Sequence, residues 1–130
     1  MAGFSDYLED KVLDHVFGGN AYTAPGTHYV ALYTVAPTDT GGGTEVSGGS
    51  YARQTSTFNV SGTDPTTATN AAAVEYPTAT ADYGTVVAVG IMDALTSGNL
   101  LAYANLTASK TVSSGDVFRF DAGDLDITLA

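Results

Sequence analysis

The sequence predicts a mainly β protein: an antiparallel β-sandwich of the jelly-roll or Ig-like kind, with one N-terminal amphipathic helix. Two observations carry that class. Apolar residues recur at spacings of three and four up to residue 18, and from residue 27 onward the period changes to two. The period-two stretches are short and separated by Gly, Pro, Asn and Asp clusters, the punctuation of a sandwich. At 130 residues the chain suits a single domain spanning 1–130, with the helix in 1–19 and the sandwich in 27–130.

The helix takes its apolar side from Phe4, Tyr7, Leu8, Val12, Leu13, Val16 and Phe17, and its polar side from Asp6, Glu9, Asp10 and Asp14. Ser5 is placed to cap its start, where Asp6 and Glu9 also favour the positive end of the dipole. Gly18-Gly19 supplies the left-handed residue that ends it, just after His15. A single helix of about four turns is unstable alone in water. It is expected to lie on a sheet or on a neighbouring subunit.

The first strand, 28–35, alternates His28, Val30, Leu32 and Thr34 with Tyr29, Ala31, Tyr33 and Val35. Residues 51–58 are rich in Thr, and 72–76 make a short strand. Residues 85–92 are apolar on both sides, which predicts a central strand covered twice. The turn residues Thr96-Ser97-Gly98-Asn99 then join it to 100–106 as a hairpin. Residues 117–120 and 125–129 complete the set, the last with Leu125, Ile127 and Leu129 inward and Asp124, Asp126 and Thr128 outward. Between the strands, 38–50 with its glycine runs and 61–70 around Asp64-Pro65 read as long loops.

Charge and composition exclude several functions. Four Lys and Arg against fourteen Asp and Glu leave a net charge of −10. Such a chain cannot build the positive stripe that nucleic acid requires, and an anionic membrane surface repels it. With no Cys, there is no disulfide framework, thiolate metal site or cysteine nucleophile. The acidic start lacks a basic signal-peptide region, so synthesis and use without Sec export are expected.

No enzyme is predicted. The only histidines, His15 and His28, read as a helix-end residue and a strand-face residue, with no nucleophile and orienting acid at a recognisable spacing. Residues 48–52 lack the final glycine of a nucleophile elbow, and Gly41-Gly42-Gly43 lacks the Lys of a phosphate loop. No cofactor is expected. Among the acids near the C-terminus, Asp121, Asp124 and Asp126 are the candidates for calcium, although they do not follow the calcium-loop spacing. Outward-facing acids at strand ends are the commoner explanation for such residues, and calcium is the minority reading.

The eight Tyr residues combine large contact area with a polar tip. Tyr29 or Tyr33, Tyr76 and Tyr103 are expected inside the sandwich. Tyr22, Tyr51 and Tyr83 stand beside turns and are interface candidates, together with Phe4, Tyr7, Leu8, Val12 and Phe17 of the helix.

Several runs carry a family resemblance: FSDYLEDKVLDHVFGGNAYTAP at 4–25, YVALYTVAPTD at 29–39, GGGTEVSGGSYARQ at 41–54, YPTATADYGT at 76–85, GNLLAYANLTASKTVSSGD at 98–116 and AGDLDITL at 122–129. Over nearly its whole length the chain resembles small virion proteins of tailed bacteriophages and prophages, commonly labelled phage tail fibre proteins. The resemblance implies a structural protein of the virion and supplies no catalytic residues. A chain this short lacks the repeats of a fibre shaft. Its acidic, hydroxyl-rich surface therefore leads to the expectation of a decoration or cement protein on the exterior of the head. It would form a dimer or trimer and clamp major capsid protein or other virion proteins through the helix and the 38–50 loop. The alternative is a tail fibre or tail-associated adhesion module that binds host glycan through exposed Tyr and Asp. A calcium-dependent lectin-like domain is the third reading.

Overall fold

The stretch that is apolar on both sides does become the spine of the larger sheet. The fold is that of a computed structural model, which describes residues 3–129; Met1, Ala2 and Ala130 of the expected 1–130 span lie outside the described residues. In chain order the elements are α1 (Asp6–Val16), β1 (His28–Val35), β2 (Thr44–Glu45), β3 (Gln54–Ser56), β4 (Phe58–Ser61), β5 (Thr66–Asn70), β6 (Val74–Glu75), β7 (Gly84–Met92), β8 (Leu100–Val112), β9 (Arg119–Phe120) and β10 (Asp126–Leu129). The larger sheet runs β2-β1-β7-β8, with β3 also paired to β1, and every pairing is antiparallel. A second sheet runs β10-β5-β4, and β6 pairs with β9. The class is mainly β with antiparallel sheets and one short N-terminal helix, as expected, in a sandwich-like arrangement.

The alternation in β1 works as the sequence implies. Val30 and Leu32 face one way, opposite Ile91 and Val89 of β7, and join Val74, Tyr76, Phe118, Phe120 and Leu125 of the second layer in the main core. Tyr76 is 1% exposed, and its hydroxyl donates to the Val30 carbonyl. The other face is covered differently. Small residues Ala31 and Ala88 lie in a separate cluster with Tyr33, Met92 and Leu100, bordered by Tyr29 and Tyr103. A Cβ on Gly90 would stand 2.8 Å from the Tyr33 ring and 2.9 Å from Leu100. Glycine is what allows the aromatic ring to lie against the strand.

Four stretches depart from the sequence reading. Residues 61–70 contain β5, because the run Thr66-Thr67-Ala68-Thr69 is β-branched enough to pair on both edges once the Asp64-Pro65 turn is past. Residues 38–50 contain β2 and a tight turn in which Thr38 and Gly41 exchange backbone hydrogen bonds of 2.9 and 2.8 Å. The single strand at 51–58 is two: β3 serves the larger sheet, and after Thr57 the chain crosses to the second sheet as β4. Leu129, expected inward, is 60% exposed at the end of the edge strand β10, whereas Leu125 is buried.

The second sheet is tied to its connections by one side chain. Asn70 is 2% exposed. Its amide nitrogen donates to the carbonyls of Ala72 and Asp121 at 2.9 and 3.0 Å, and its oxygen accepts from Gly123 and Leu125 N–H at 3.0 and 2.9 Å. Each hydrogen-bonding position of the amide is filled, so the 121–125 turn has a fixed place.

Candidate interaction surface

The chain's first described residues act as a strap. Phe4 pairs with Ala102 on the free edge of β8, Tyr103 N–H donates to the Gly3 carbonyl at 3.4 Å, and Ser5 N–H donates to Leu101 at 2.8 Å. Ser5 then turns from strand to helix. Its hydroxyl donates to the Leu100 carbonyl and accepts from Leu8 N–H at 3.2 Å, so the expected N-cap is also the anchor to the sheet. Buried to 1% exposure, Ser5 has no unpaired polar group. The Asp6 N–H reaches across to the Asp39 carbonyl at 2.8 Å, fastening the helix start to the 38–41 turn.

The helix is shorter and less one-sided than its sequence suggests. It spans 11 residues, with Phe17 as C-cap, Gly18 N–H bonded to Asp14 and Gly19 in the left-handed region. Phe4, Tyr7 and Leu8 pack half-buried against the main core. Leu13 and Val16 are each 60% exposed and Phe17 82%. The reason is angular: at 3.6 residues per turn, Asp6, Asp10, Leu13 and Phe17 share one side, opposite Leu8. Seven apolar residues do not fit a single face, and three of them form an outward knob beyond the carboxylates of Asp6, Glu9 and Asp10.

Beneath the helix lies an open groove of about 730 Å³, walled by Phe4 and Leu8, by Ile91 and Ala102 of the larger sheet, and by Val60, Ala68 and Ile127 of the second sheet. The second-sheet wall follows from register, since Val60 and Ile127 both sit opposite Ala68 and so share a face. His28 is at the same groove, with its ring edge-on to Phe58 at 5.8 Å.

The remaining interface candidates fall in different places. Val12 is half-buried along the helix. Tyr22 packs edge-on against Tyr7 at 6.5 Å, while its N–H donates to His15 Nδ1 at 3.0 Å. Burial, then the neighbouring Tyr7 and Asp93, raise the Tyr22 hydroxyl above its ordinary pKa. Tyr51 and Tyr83 require correction. Tyr83 is 4% exposed inside the core, and its hydroxyl lies 3.1 Å from Ser50 Oγ. Tyr51 stacks on Tyr76 and meets Tyr83 edge-on, so both belong to an internal aromatic group and not to a free surface.

Tyr51 also leads to a network that sequence reading missed. Its hydroxyl donates to Glu45 Oε2 at 2.6 Å and accepts from Leu32 N–H at 3.0 Å. Burial and the Glu45 carboxylate both push its pKa far up. The same carboxylate pairs with buried Arg53, which also donates to the Ala94 and Ser97 carbonyls at 2.8 Å each. Burial raises the Glu45 pKa, but hydrogen bonds from Arg53 and Tyr51, with the Arg53 charge, outweigh it and hold the carboxyl below its usual value. No sequence motif marks this pair, which lies eight positions apart and is completed by a turn 41 positions away.

The acids near the C-terminus are each engaged separately. Asp121 Oδ1 accepts from Arg119 Nε at 2.8 Å, Asp124 Oδ2 from Asp121 N–H at 2.9 Å, and Asp126 Oδ1 from Thr69 at 2.8 Å. Among the described residues no group of three or more potential metal-ligating side chains converges. Neither histidine hydrogen-bonds a Ser or carboxylate side chain among the described residues.

A family model described as Podophage GP4 fiber I protein gp80 matches residues 3–128. The chain belongs to this family. It is therefore a phage tail fibre-type virion protein with a structural role. This family description fits the fibre alternative better than decoration of the capsid. No curated protein matches the chain. Among the described residues of this fibre-family protein, no helix is long and apolar enough to cross a membrane.

Proposed function

We propose that the chain is a non-enzymatic structural module of a podophage tail fibre, exposed on the outside of the virion and working by docking alone. The family match over residues 3–128 carries this reading. The architecture supports it: a body whose strands are locked by Asn70 and Arg53, with a helix fastened at its start and bare at its end. The rigid body sets position, and the helix with the 38–50 segment offers contact area to other copies or other virion proteins. The acidic surface keeps separate particles apart, since like charges repel over about one Debye length.

Localisation on intact particles tests the proposal. Immunogold labelling or particle reconstruction should place the chain at the tail, in few copies per virion. Hundreds of copies spread over the capsid shell would overturn it in favour of decoration. Turnover of a small molecule by the purified chain would overturn the non-enzymatic part.

A further inference from the structure

The outward knob and the apolar groove belong to one chain but cannot meet within it, because α1 turns Leu8 into the groove and Phe17 away from it. We infer that they meet between copies: Leu13, Val16 and Phe17 of one copy enter the groove of the next, giving a head-to-tail contact. The partner is thus a second copy of this chain.

Charge selects the head-to-tail arrangement over a two-fold one. The chain carries a net charge of −10, and its knob sits on the carboxylate side of the helix, beside Asp6, Glu9 and Asp10. Two knobs facing each other about a two-fold axis would bring those carboxylates together, which like-charge repulsion opposes. The groove instead has no Asp or Glu among its described lining residues, and one wall holds the imidazole of His28. An acid-flanked apolar knob meets no opposing carboxylate there. Size agrees as well: about 730 Å³ lies within the range of pockets that enclose an inserted group. Head-to-tail contacts of this kind close into rings when the rotation permits and otherwise extend into filaments. Either outcome builds a fibre component from small globular units. The inference deepens the docking reading above and rests on the helix being the docking element, but its test reads association of the purified chain, not its place on the particle.

The experiment uses two variants at exposed positions, so that neither threatens the fold: Phe17→Ser, where the side chain is 82% exposed, and Val60→Asp, where it is 70% exposed. Circular dichroism and thermal melting confirm that both remain folded. Sedimentation velocity across a concentration series should show the parent chain associating, and each variant associating about tenfold or more weakly. An equimolar mixture of the variants should recover a one-to-one dimer and nothing larger, because one copy retains the groove and the other the knob. A parent chain that stays monomeric at all concentrations, or variants that associate like the parent, would overturn the contact. A mixture that remains monomeric while the parent associates would overturn the head-to-tail geometry and with it the inference.

Discussion

The Arg53 guanidinium meets the Glu45 carboxylate side-on, Nε to Oε2 at 2.9 Å and the terminal nitrogen to Oε1 at 2.8 Å. The pair joins β2 to the segment before β3, and the second terminal nitrogen of Arg53 holds the turn between β7 and β8 through two carbonyls. A planar fork with five donors suits this task in a way that a Lys ammonium does not.

Glu45→Gln should therefore destabilise the fold by about 1–3 kcal/mol at neutral pH, since Arg53 stays buried without its counter-charge. Because Glu45 is held below its usual pKa, its contribution is complete above the unfolded value and is lost as pH falls through the folded one. Urea unfolding of both proteins over an acid series checks this. The gap between them should close toward low pH.

Ser5→Ala removes the cap and the hydroxyl bonded to the Leu100 carbonyl. A lost Ser cap costs about 1–2 kcal/mol. The loss should be local as well as global. Hydrogen exchange at the Leu8 amide, which Ser5 Oγ accepts, should rise more than exchange in β7.

Asn70→Ala leaves the carbonyls of Ala72 and Asp121 and the N–H groups of Gly123 and Leu125 without their side-chain partner. A cost of about 2–4 kcal/mol is expected from several buried groups losing hydrogen bonds together. Differential scanning calorimetry should show a lower melting temperature. Asn70→Asp should not restore it, because a carboxylate donates nothing to the two carbonyls.

Tyr103 donates its hydroxyl to Asp39. That bond first, then burial and the charges of Asp39, Asp6 and Glu9, raise the Tyr103 pKa. In Asp39→Asn the phenol should ionise at lower pH, as read by the ultraviolet absorbance of tyrosinate. The sign carries into stability: the parent's contribution is whole below the ordinary tyrosine pKa and is lost as pH rises through the folded value. Alkaline stability should fall more steeply for the parent than for the variant.

Two strands were legible in the amino-acid sequence, β1 from its alternation and β7 from a run apolar on both sides, and the 96–99 turn residues join β7 to β8 as expected. Ser5 as a cap was legible because the signal is local. What escaped depends on residues far apart in sequence. The Thr-rich strand β5 has neither apolar alternation nor a flanking run to mark it, and its partners are β4 and β10. Tyr51 and Tyr83 stand beside turns in sequence yet pack on the core, where Tyr51 stacks on Tyr76 and meets Tyr83 edge-on. The helix misled through its period: spacings of three and four suit a helix but do not by themselves gather seven side chains on one side.

The strap at Ser5 has a consequence for folding. Its hydroxyl bonds Leu100, 95 positions later in the chain, so the helix anchor is among the most non-local contacts in the molecule. Closing so long a loop delays the ordering of that segment until its distant edge strand exists. A nascent chain leaving the ribosome thus carries its first turns unmoored until β8 has emerged. An anchored helix therefore arises only after β8 has been made, so the sheet orders before the helix start is fastened to it.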